Sequence, residues 1–163
     1  MRMPFRKPLI VAAPKKLLKF KGAASDIEEF GPGTRFLPII TDQNPNAVAK
    51  NKIKKVILCS GQVYFDLEQR REKQGRNDVS IVRLESLCPF PFKELIKELK
   101  EYSKDAEIVW AQEEPKNAGG YIYADPRLRN IMEHVGLKQD GPTYAGRPIM
   151  AAAAVGYTSL HNQ

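Results

Sequence analysis

Short apolar runs separated by an amphipathic stretch mark the central part of the chain. Val56–Leu58 is a continuous apolar run, which is typical of a strand buried on both faces, and a second β-branched run begins at Ile81. Between them, apolar residues recur at helical spacing from Val63 until Gly75 ends the pattern. Two buried strands joined through one helix form a right-handed βαβ unit, so the sequence predicts an α/β fold with a parallel sheet.

Three helices are predicted from caps and apolar stripes. Ser60 is expected to cap the first helix. Pro91 begins the second, and Asp125-Pro126 caps the third, which Gly136 closes. The second helix has one apolar stripe, formed by Phe92, Leu95, Ile96, Leu99 and Tyr102.

The remaining strands are bounded by prolines and polar residues. Glu107–Gln112 is a third buried strand, which Glu113-Glu114-Pro115 ends. Further strands are predicted over Arg35–Thr41, with Pro38 indicating a sheet edge, over Pro8–Ala13 and over Thr143–Arg147. Residues 42–53 form a linker-like loop, and its polar part, Asp42–Ala49, is the place where disorder is most expected.

Length and charge limit the function classes. The 163 residues suit a single domain, 1–163, that can bury a core without disulfides or metals. The net charge of +7 is uneven, because residues 1–60 carry 12 basic and 4 acidic residues whereas residues 61–163 carry 14 and 15. The lysines between residues 50 and 55 lack the interleaved aromatics of a nucleic-acid surface and are interpreted as a solvated connector. Nucleic-acid binding is therefore the least favoured function.

The cysteines and apolar runs exclude further classes. Cys59 and Cys88 follow apolar runs, and neither CxxC nor His/Cys metal spacing occurs, which favours buried free thiols in a reducing compartment over a disulfide. The longest apolar runs, Leu9–Ala13 and Ile149–Val155, are too short to span a bilayer. No signal or transit peptide is recognisable at the start. We therefore expect no metal site and no membrane partner.

Several residues could carry chemistry, and each has a structural alternative. Ser60-Gly61 lies where a strand meets a helix and could hold a phosphate, but without a GxGxxG or Walker motif a helix cap is favoured. Glu113 and Glu114 follow a strand, yet adjacent strand residues point in different directions and do not form an acid/base pair. His134 is expected to complement a helix dipole, and His161 has no partner in sequence.

A set of motifs in fixed order resembles the carboxyl-terminal region of the 2-oxoglutarate dehydrogenase family. The motifs are Arg6-Lys-Pro-Leu-Ile-Val, Pro32-Gly-Thr, Leu58-Cys-Ser-Gly, Val82-Arg-Leu-Glu, Cys88-Pro-Phe-Pro, Trp110-x-Gln-Glu-Glu-Pro-x-Asn-x-Gly-Gly-Tyr, Tyr144-Ala-Gly-Arg-Pro and Ala154-Val-Gly-Tyr. They cover nearly the whole chain. The related 2-oxoadipate dehydrogenase shares most of them and is the close alternative.

The resemblance implies a parent enzyme with its chemistry elsewhere. That enzyme is the thiamine-diphosphate-dependent component that decarboxylates 2-oxoglutarate oxidatively and passes the succinyl group to a lipoyl carrier in the tricarboxylic acid cycle. Its cofactor and Mg are held upstream by a Gly-Asp-Gly…Asn motif and catalytic histidines. Gln139-Asp-Gly is not that motif, and neither His134 nor His161 matches a catalytic histidine. The resemblance thus implies no catalytic, cofactor-binding or metal-binding residue here and an inactive isolated chain.

The resemblance also implies a fold and partners. The fold is three-layer α/β/α with a mostly parallel sheet, similar to the transketolase carboxyl-terminal domain. Expected partners are the upstream domains of the same enzyme, a second subunit in a homodimer and the dihydrolipoyl succinyltransferase component. The expected location is the mitochondrial matrix for a eukaryotic protein and the cytoplasm for a bacterial one. Surface made for these contacts should be apolar and exposed around Phe5, Phe36 and Ile149–Val155.

An effector site is a second function that the resemblance implies. Some members of the family bind acetyl-CoA or AMP near this region, and Arg6, Lys7 and Lys15 match family positions that could hold phosphates. The alternative is that these cations pair with acidic groups of the upstream domains. A regulatory effector-binding module therefore remains open beside the structural role.

Overall fold

The computed structural model describes residues 4–8, 10, 15–154 and 156, and the chain divides into two compact units. The described residues of the first unit, Met1–Arg35, form three short 3-10 helices, Lys15–Lys19, Lys21–Ala23 and Ile27–Phe30. None of the described residues in this unit is buried. Most of the strand predicted over Pro8–Ala13 lies outside the described residues.

A five-stranded mixed sheet is the centre of the second unit, Phe36–Gln163. Its strands are β1 (Ile39–Ile40), β2 (Lys55–Cys59), β3 (Val79–Leu84), β4 (Glu107–Pro115) and β5 (Thr143–Arg147). They lie in the order β1-β3-β2-β4-β5, and every neighbouring pair is parallel except the antiparallel pair of β1 and β3. The parallel sheet predicted from the sequence is therefore confirmed.

Helices cover both faces of this sheet. They are α1 (Val63–Lys73), α2 (Phe92–Leu99) and α3 (Tyr121–Val135). Helix α1 lies against one face of β3 and β4, while α2 and α3 pack on each other and on the opposite face. The three-layer α/β/α architecture with a mostly parallel sheet is confirmed.

The main core lies between the sheet and the layer formed by α2 and α3. Alternate strand residues point into it, because side chains along a strand alternate between the two faces. The fully buried contributors are Val56, Leu58, Val82, Leu84, Ile108 and Trp110 from the strands and Leu95, Leu99, Leu128, Ile131 and Met132 from the helices. Burying a side chain of this size stabilises the fold by about 1.5–3 kcal/mol, so this layer dominates stability.

Two helix starts differ from the predictions. Ser60 does not cap α1: Gly61 has a φ of +78°, which ends the strand in a left-handed turn, and Gln62 occupies the N-cap position. Asp125-Pro126 does not cap α3, because the helix begins earlier, at Tyr121 after Gly120. Asp125 instead accepts a hydrogen bond from Arg129 one turn later, at 3.0 Å.

Two strand boundaries also differ. The edge strand expected over Arg35–Thr41 is reduced to Ile39–Ile40, because Pro38 has no N–H to donate and its carbonyl instead accepts from the N–H groups of Glu85 and Ser86. The third buried strand runs on through Glu113 and Glu114 to Pro115, with a register shift against β5 after Ala111. Gly136 closes α3 with a φ of +71°, as predicted.

The segment 42–53 has no strand or α-helix, but ion pairs fix it to the helices of the second unit. Asp42 accepts a 2.7 Å hydrogen bond from Arg71 of α1, and their side chains are 8% and 5% exposed. Lys50 lies 2.8 Å from Glu98 and 2.9 Å from Glu101. The charged side chains of this linker-like loop therefore pair with groups on α1 and on or just after α2, and the disorder expected over Asp42–Ala49 stays a prediction.

The buried carboxylate Glu98 is part of a polar network inside the core. Tyr102 donates a 2.6 Å hydrogen bond to Glu98, and its hydroxyl lies 2.8 Å from that of Ser80. Burial and the hydrogen bond to Glu98 raise the pKa of Tyr102 well above its usual range. Burial alone would lower the pKa of Lys50, but the hydrogen bonds to Glu98 and Glu101 outweigh burial and raise it. The Lys50 ammonium therefore stays charged and the Tyr102 hydroxyl stays protonated at neutral pH.

Within the described residues, the helices do not combine the length and the apolar composition that a membrane-spanning segment needs.

Replacing Arg71 with methionine should lower the free energy of unfolding by about 3–5 kcal/mol, because Asp42 is left buried without its cation. The double variant Arg71→Met/Asp42→Leu should recover more than about 1 kcal/mol, since no lone charge remains buried. Arg76→Met is the control, because Arg76 forms an exposed ion pair with Asp78 and should matter little. Urea unfolding followed by circular dichroism measures all three, and equal losses for Arg71→Met and Arg76→Met would contradict the buried pair.

Candidate functional site

A cavity of about 450 Å³ lies at the carboxyl edge of the sheet, between the ends of β2 and β4. Because the chain continues from β2 to β3 on one side and β4 lies on the other, this is the point where the strand order reverses. Open α/β sheets bind ligands in the crevice at such a point. The cavity is lined by Ser60, Gly61, Leu87, Cys88, Trp110, Gln112, Glu114, Gly119, Gly120 and Tyr123.

The start of α1 is tied to the end of β4 across this crevice. Gln62 donates its side-chain amide to the Glu113 carboxylate, at 3.0 and 3.3 Å from the two oxygens. The carboxylate also lies near the first turn of α1, where the helix dipole favours negative charge. Glu113 is thus engaged in a structural contact beside the cavity that Glu114 lines.

Gln112 organises the loop between β4 and α3 from a buried position. Its Oε1 accepts hydrogen bonds from the indole N–H of Trp110 and the backbone N–H of Tyr121, both at 2.9 Å. Its Nε2 donates towards the carbonyl oxygens of Glu114, Pro115 and Ala118, at 3.2, 3.0 and 2.8 Å. One amide therefore holds both ends of a glycine-rich loop that carries no regular structure of its own.

Asn117 and Arg147 hold the segment that follows β5. Asn117 donates to the carbonyl of Met150 at 2.9 Å and accepts from its N–H at 3.2 Å, which reproduces a strand-like backbone pair. Arg147 donates to the carbonyls of Glu113 and Ala153, at 2.9 and 2.8 Å. The polar residues of these motifs thus bind the main chain.

The crevice lacks a general acid/base or nucleophilic pair within the described part of the chain. Glu113 and Glu114 engage different partners, as predicted from strand geometry: Glu113 binds Gln62, whereas Glu114 lies beside Gly119, where an added Cβ would be 3.0 Å from its carboxylate. Burial raises the pKa of the Cys59 thiol to about 12, so this thiol stays protonated and inert. The prediction that Cys88 is buried is wrong: it is exposed and lines the cavity, because β3 ends before it.

The histidines and the predicted phosphate-binding cations lie elsewhere. His134 is exposed in the last turn of α3, as predicted, at the end opposite the crevice, and His161 lies outside the described residues. Arg6, Lys7 and Lys15 belong to the first unit, where all three are exposed, and the Lys7 ammonium lies 5.4 Å from the ring centroid of Phe5.

The residues present do not fit a magnesium–diphosphate site. Mg²⁺ prefers carboxylate and other oxygen ligands grouped around one point. Among the described residues, no group of three or more His, Cys, Asp or Glu side chains could hold a metal ion. The cavity itself is lined by a single carboxylate, that of Glu114.

A second cavity, of about 560 Å³, lies by the end of α1 and is lined by polar residues that include Asn44, Asn77, Arg71 and Arg76. Both arginines already have acidic partners, since Arg71 binds Asp42 and Arg76 binds Asp78. Both of these cations are therefore already paired within the domain.

Sequence reasoning placed Ser60, Gly61 and Glu114 at this edge, and the structure brings them to one cavity. It missed Leu87, Cys88, Trp110, Gln112 and Tyr123. A signal existed for Gln112, because a buried glutamine after the apolar run Ile108–Ala111 needs partners for its amide. None existed for Tyr123, whose place depends on where α3 begins.

The mostly parallel sheet with helices on both faces, and the crevice where the strand order reverses, are the features of a three-layer α/β domain. The sequence matches the model of the family described as 2-oxoglutarate dehydrogenase C-terminal over residues 24–163. The chain belongs to this 2-oxoglutarate dehydrogenase C-terminal family.

Curated relatives extend the match to almost the entire chain. It is 44% identical over 168 aligned positions to proteins named 2-oxoglutarate dehydrogenase E1 component from Brucella anthropi and Brucella ovis, and 43% identical to the one from Brucella abortus. Each match covers 99% of this chain but 17% of the relative. The chain therefore spans about a sixth of the length of these relatives.

The thiols of Cys59 and Cys88 differ in exposure and should therefore differ in reactivity. A water-soluble maleimide at about pH 8 should label Cys88 and leave Cys59 unmodified in the folded chain, because burial keeps the Cys59 thiol protonated and inaccessible. Intact-mass spectrometry should show one adduct in buffer and two in guanidinium chloride. The matched variant Cys88→Ser should show none in buffer, and a native adduct in that variant would contradict the burial of Cys59.

Proposed function

We propose that this chain is a non-catalytic carboxyl-terminal domain that supports the active-site domains and the homodimer of a 2-oxoglutarate dehydrogenase E1 component. This role is supported by the hydrogen bonds that the polar motif residues form. Gln112, Asn117 and Arg147 lie at the edge of the sheet where a ligand would bind, yet their hydrogen bonds go to the main chain of this domain. Side chains engaged in this way fix a shape instead of contacting a substrate.

The parent activity is proposed from the relatives. It is the oxidative decarboxylation of 2-oxoglutarate, with transfer of the succinyl group to a lipoyl carrier of the dihydrolipoyl succinyltransferase component. Thiamine diphosphate and magnesium would be held by the upstream domains. The relatives named here carry 2-oxoglutarate in their name, which favours this substrate over 2-oxoadipate, and they are bacterial, which favours the cytoplasm over the mitochondrial matrix.

The supporting role is tested with Arg147→Met in the complete E1 polypeptide. We expect the free energy of unfolding to fall by about 1–2 kcal/mol, because hydrogen bonds to the Glu113 and Ala153 carbonyls are lost. The Michaelis constant for 2-oxoglutarate should stay within about twofold, since no substrate contact is removed. Arg129→Met, which removes an exposed pair within α3, is the control. A raised Michaelis constant at unchanged stability would contradict the proposal.

Isothermal titration calorimetry on the 163-residue chain is an independent test of the non-catalytic role. Titration with thiamine diphosphate in the presence of Mg²⁺ should give no binding at millimolar ligand, while the complete polypeptide binds under the same conditions. Tight, magnesium-dependent binding to the 163-residue chain would overturn the non-catalytic role.

An effector-binding role is the second candidate, and the exposure of Arg6, Lys7 and Lys15 favours it. If acetyl-CoA or AMP binds these cations, the melting temperature should rise by a few degrees at millimolar ligand. The rise should disappear in Lys7→Ala and Lys15→Ala and persist in Lys52→Ala, which removes an exposed lysine of the second unit. An unchanged melting curve for the unmodified chain would remove this candidate.

A further inference from the structure

Exposed large apolar side chains of the second unit are concentrated at one end of the sheet. Within its described residues, all but one lie beside the carboxyl ends of the parallel strands, in a set that we call the carboxyl-edge patch: Phe36, Leu37, Phe92, Ile122, Tyr123 and Ile149. The exposed fractions of Phe36, Ile122 and Ile149 are 68%, 61% and 72%. The exception, Val48, is 38% exposed and bonds through its N–H to Asn77, before β3.

The opposite end of the sheet has a different character. The loops that precede β2, β3, β4 and β5 carry charged side chains, several of them in exposed ion pairs such as Arg76–Asp78 and Lys138–Asp105. Charged, mutually paired loops are typical of a surface in water, whereas grouped exposed apolar residues mark a surface that is covered. The two ends of one sheet therefore face different surroundings.

The patch is joined to the cavity by aromatic contacts. The ring of Phe90 lies 5.2 Å from that of Phe92 and 6.2 Å from that of Tyr123, both in edge-to-face geometry. Tyr123 also lines the cavity, together with Leu87 and Trp110. Exposed aromatic side chains next to a cavity lined partly by apolar residues are typical of a surface that packs against another protein.

We propose that the carboxyl-edge patch is the surface on which the upstream domains of the longer E1 polypeptide pack. This inference rests on the function proposed above. The relatives are about six times longer than this chain, and in a polypeptide of that length the other domains would be covalently attached neighbours at high effective concentration. The patch also extends beside all five strands from β1 to β5. At about 4.8 Å between neighbouring strands its width is about 20 Å, which is wide enough to contact the surface of a whole domain.

Hydrogen–deuterium exchange compares the 163-residue chain with the complete E1 polypeptide. Peptides covering 85–92 and 116–123 should exchange at least about tenfold more slowly in the complete polypeptide, because packing of the upstream domains suppresses local opening. Peptides covering 103–106 and 138–141, at the opposite end of the sheet, should exchange equally in both. Equal exchange of the first two peptides, or protection confined to the second two, would overturn the proposal.

Substitutions within the carboxyl-edge patch test whether it is the surface on which the upstream domains pack. In the complete polypeptide, Ile122→Glu should raise exchange of 116–123 to within about twofold of its rate in the 163-residue chain, since a buried carboxylate would oppose docking. Phe36→Glu tests the same surface from another element, and circular dichroism checks that each variant folds. Val48→Glu is the matched control and should leave exchange unchanged. Protection that survives both patch variants would overturn the proposal.

Two further outcomes separate the alternatives. If these peptides become protected in the 163-residue chain as its concentration rises, and Ile122→Glu removes that effect, the occupant is a second copy and the proposal of an upstream-domain surface fails. If the complete polypeptide shows the expected exchange pattern but does not decarboxylate 2-oxoglutarate, the proposed parent activity fails while the docking surface stands.

Discussion

One buried amide determines the geometry of the crevice. Gln112 lies on β4 among apolar neighbours, where an unsatisfied amide would cost about 1–3 kcal/mol, and each of its polar atoms has partners. On one side it binds the Trp110 indole and the first N–H of α3, and on the other it binds two carbonyls at the end of β4 and one carbonyl of the following loop. The position of α3, and with it the main core, depends on this interaction.

The neighbouring motifs extend the same arrangement towards the chain end. The Tyr144 hydroxyl donates towards the carbonyls of Glu114 and Arg147, so β5 is tied to the loop that Gln112 shapes. Asn117 and Arg147 then hold the following segment. A sheet edge that serves ligand binding in many α/β proteins is here occupied by hydrogen bonds of the domain to itself. This arrangement is consistent with a scaffold whose outer surface contacts protein.

The sequence predicts the buried strands well, because runs such as Val56–Leu58 leave few alternatives to burial on both faces. The sequence predicts the helix starts less well, because left-handed turns at Gly61 and Gly119 place the first helical residue where no Ser or Asp marks it. Ser60 and Glu114 could be assigned to the crevice from strand polarity alone. Cys88 and Tyr123 could not, because their exposure depends on loop paths set by tertiary packing. The Asp42–Arg71 pair was missed for the same reason.

The outer strand β1 is only two residues long and follows Pro38, which offers no N–H. A strand of another chain can pair with a sheet edge only where that edge has a row of free N–H and C=O groups, and the outer edge of β1 has few of them. Edge-to-edge pairing of this side of the sheet with a strand of another chain is therefore unfavourable.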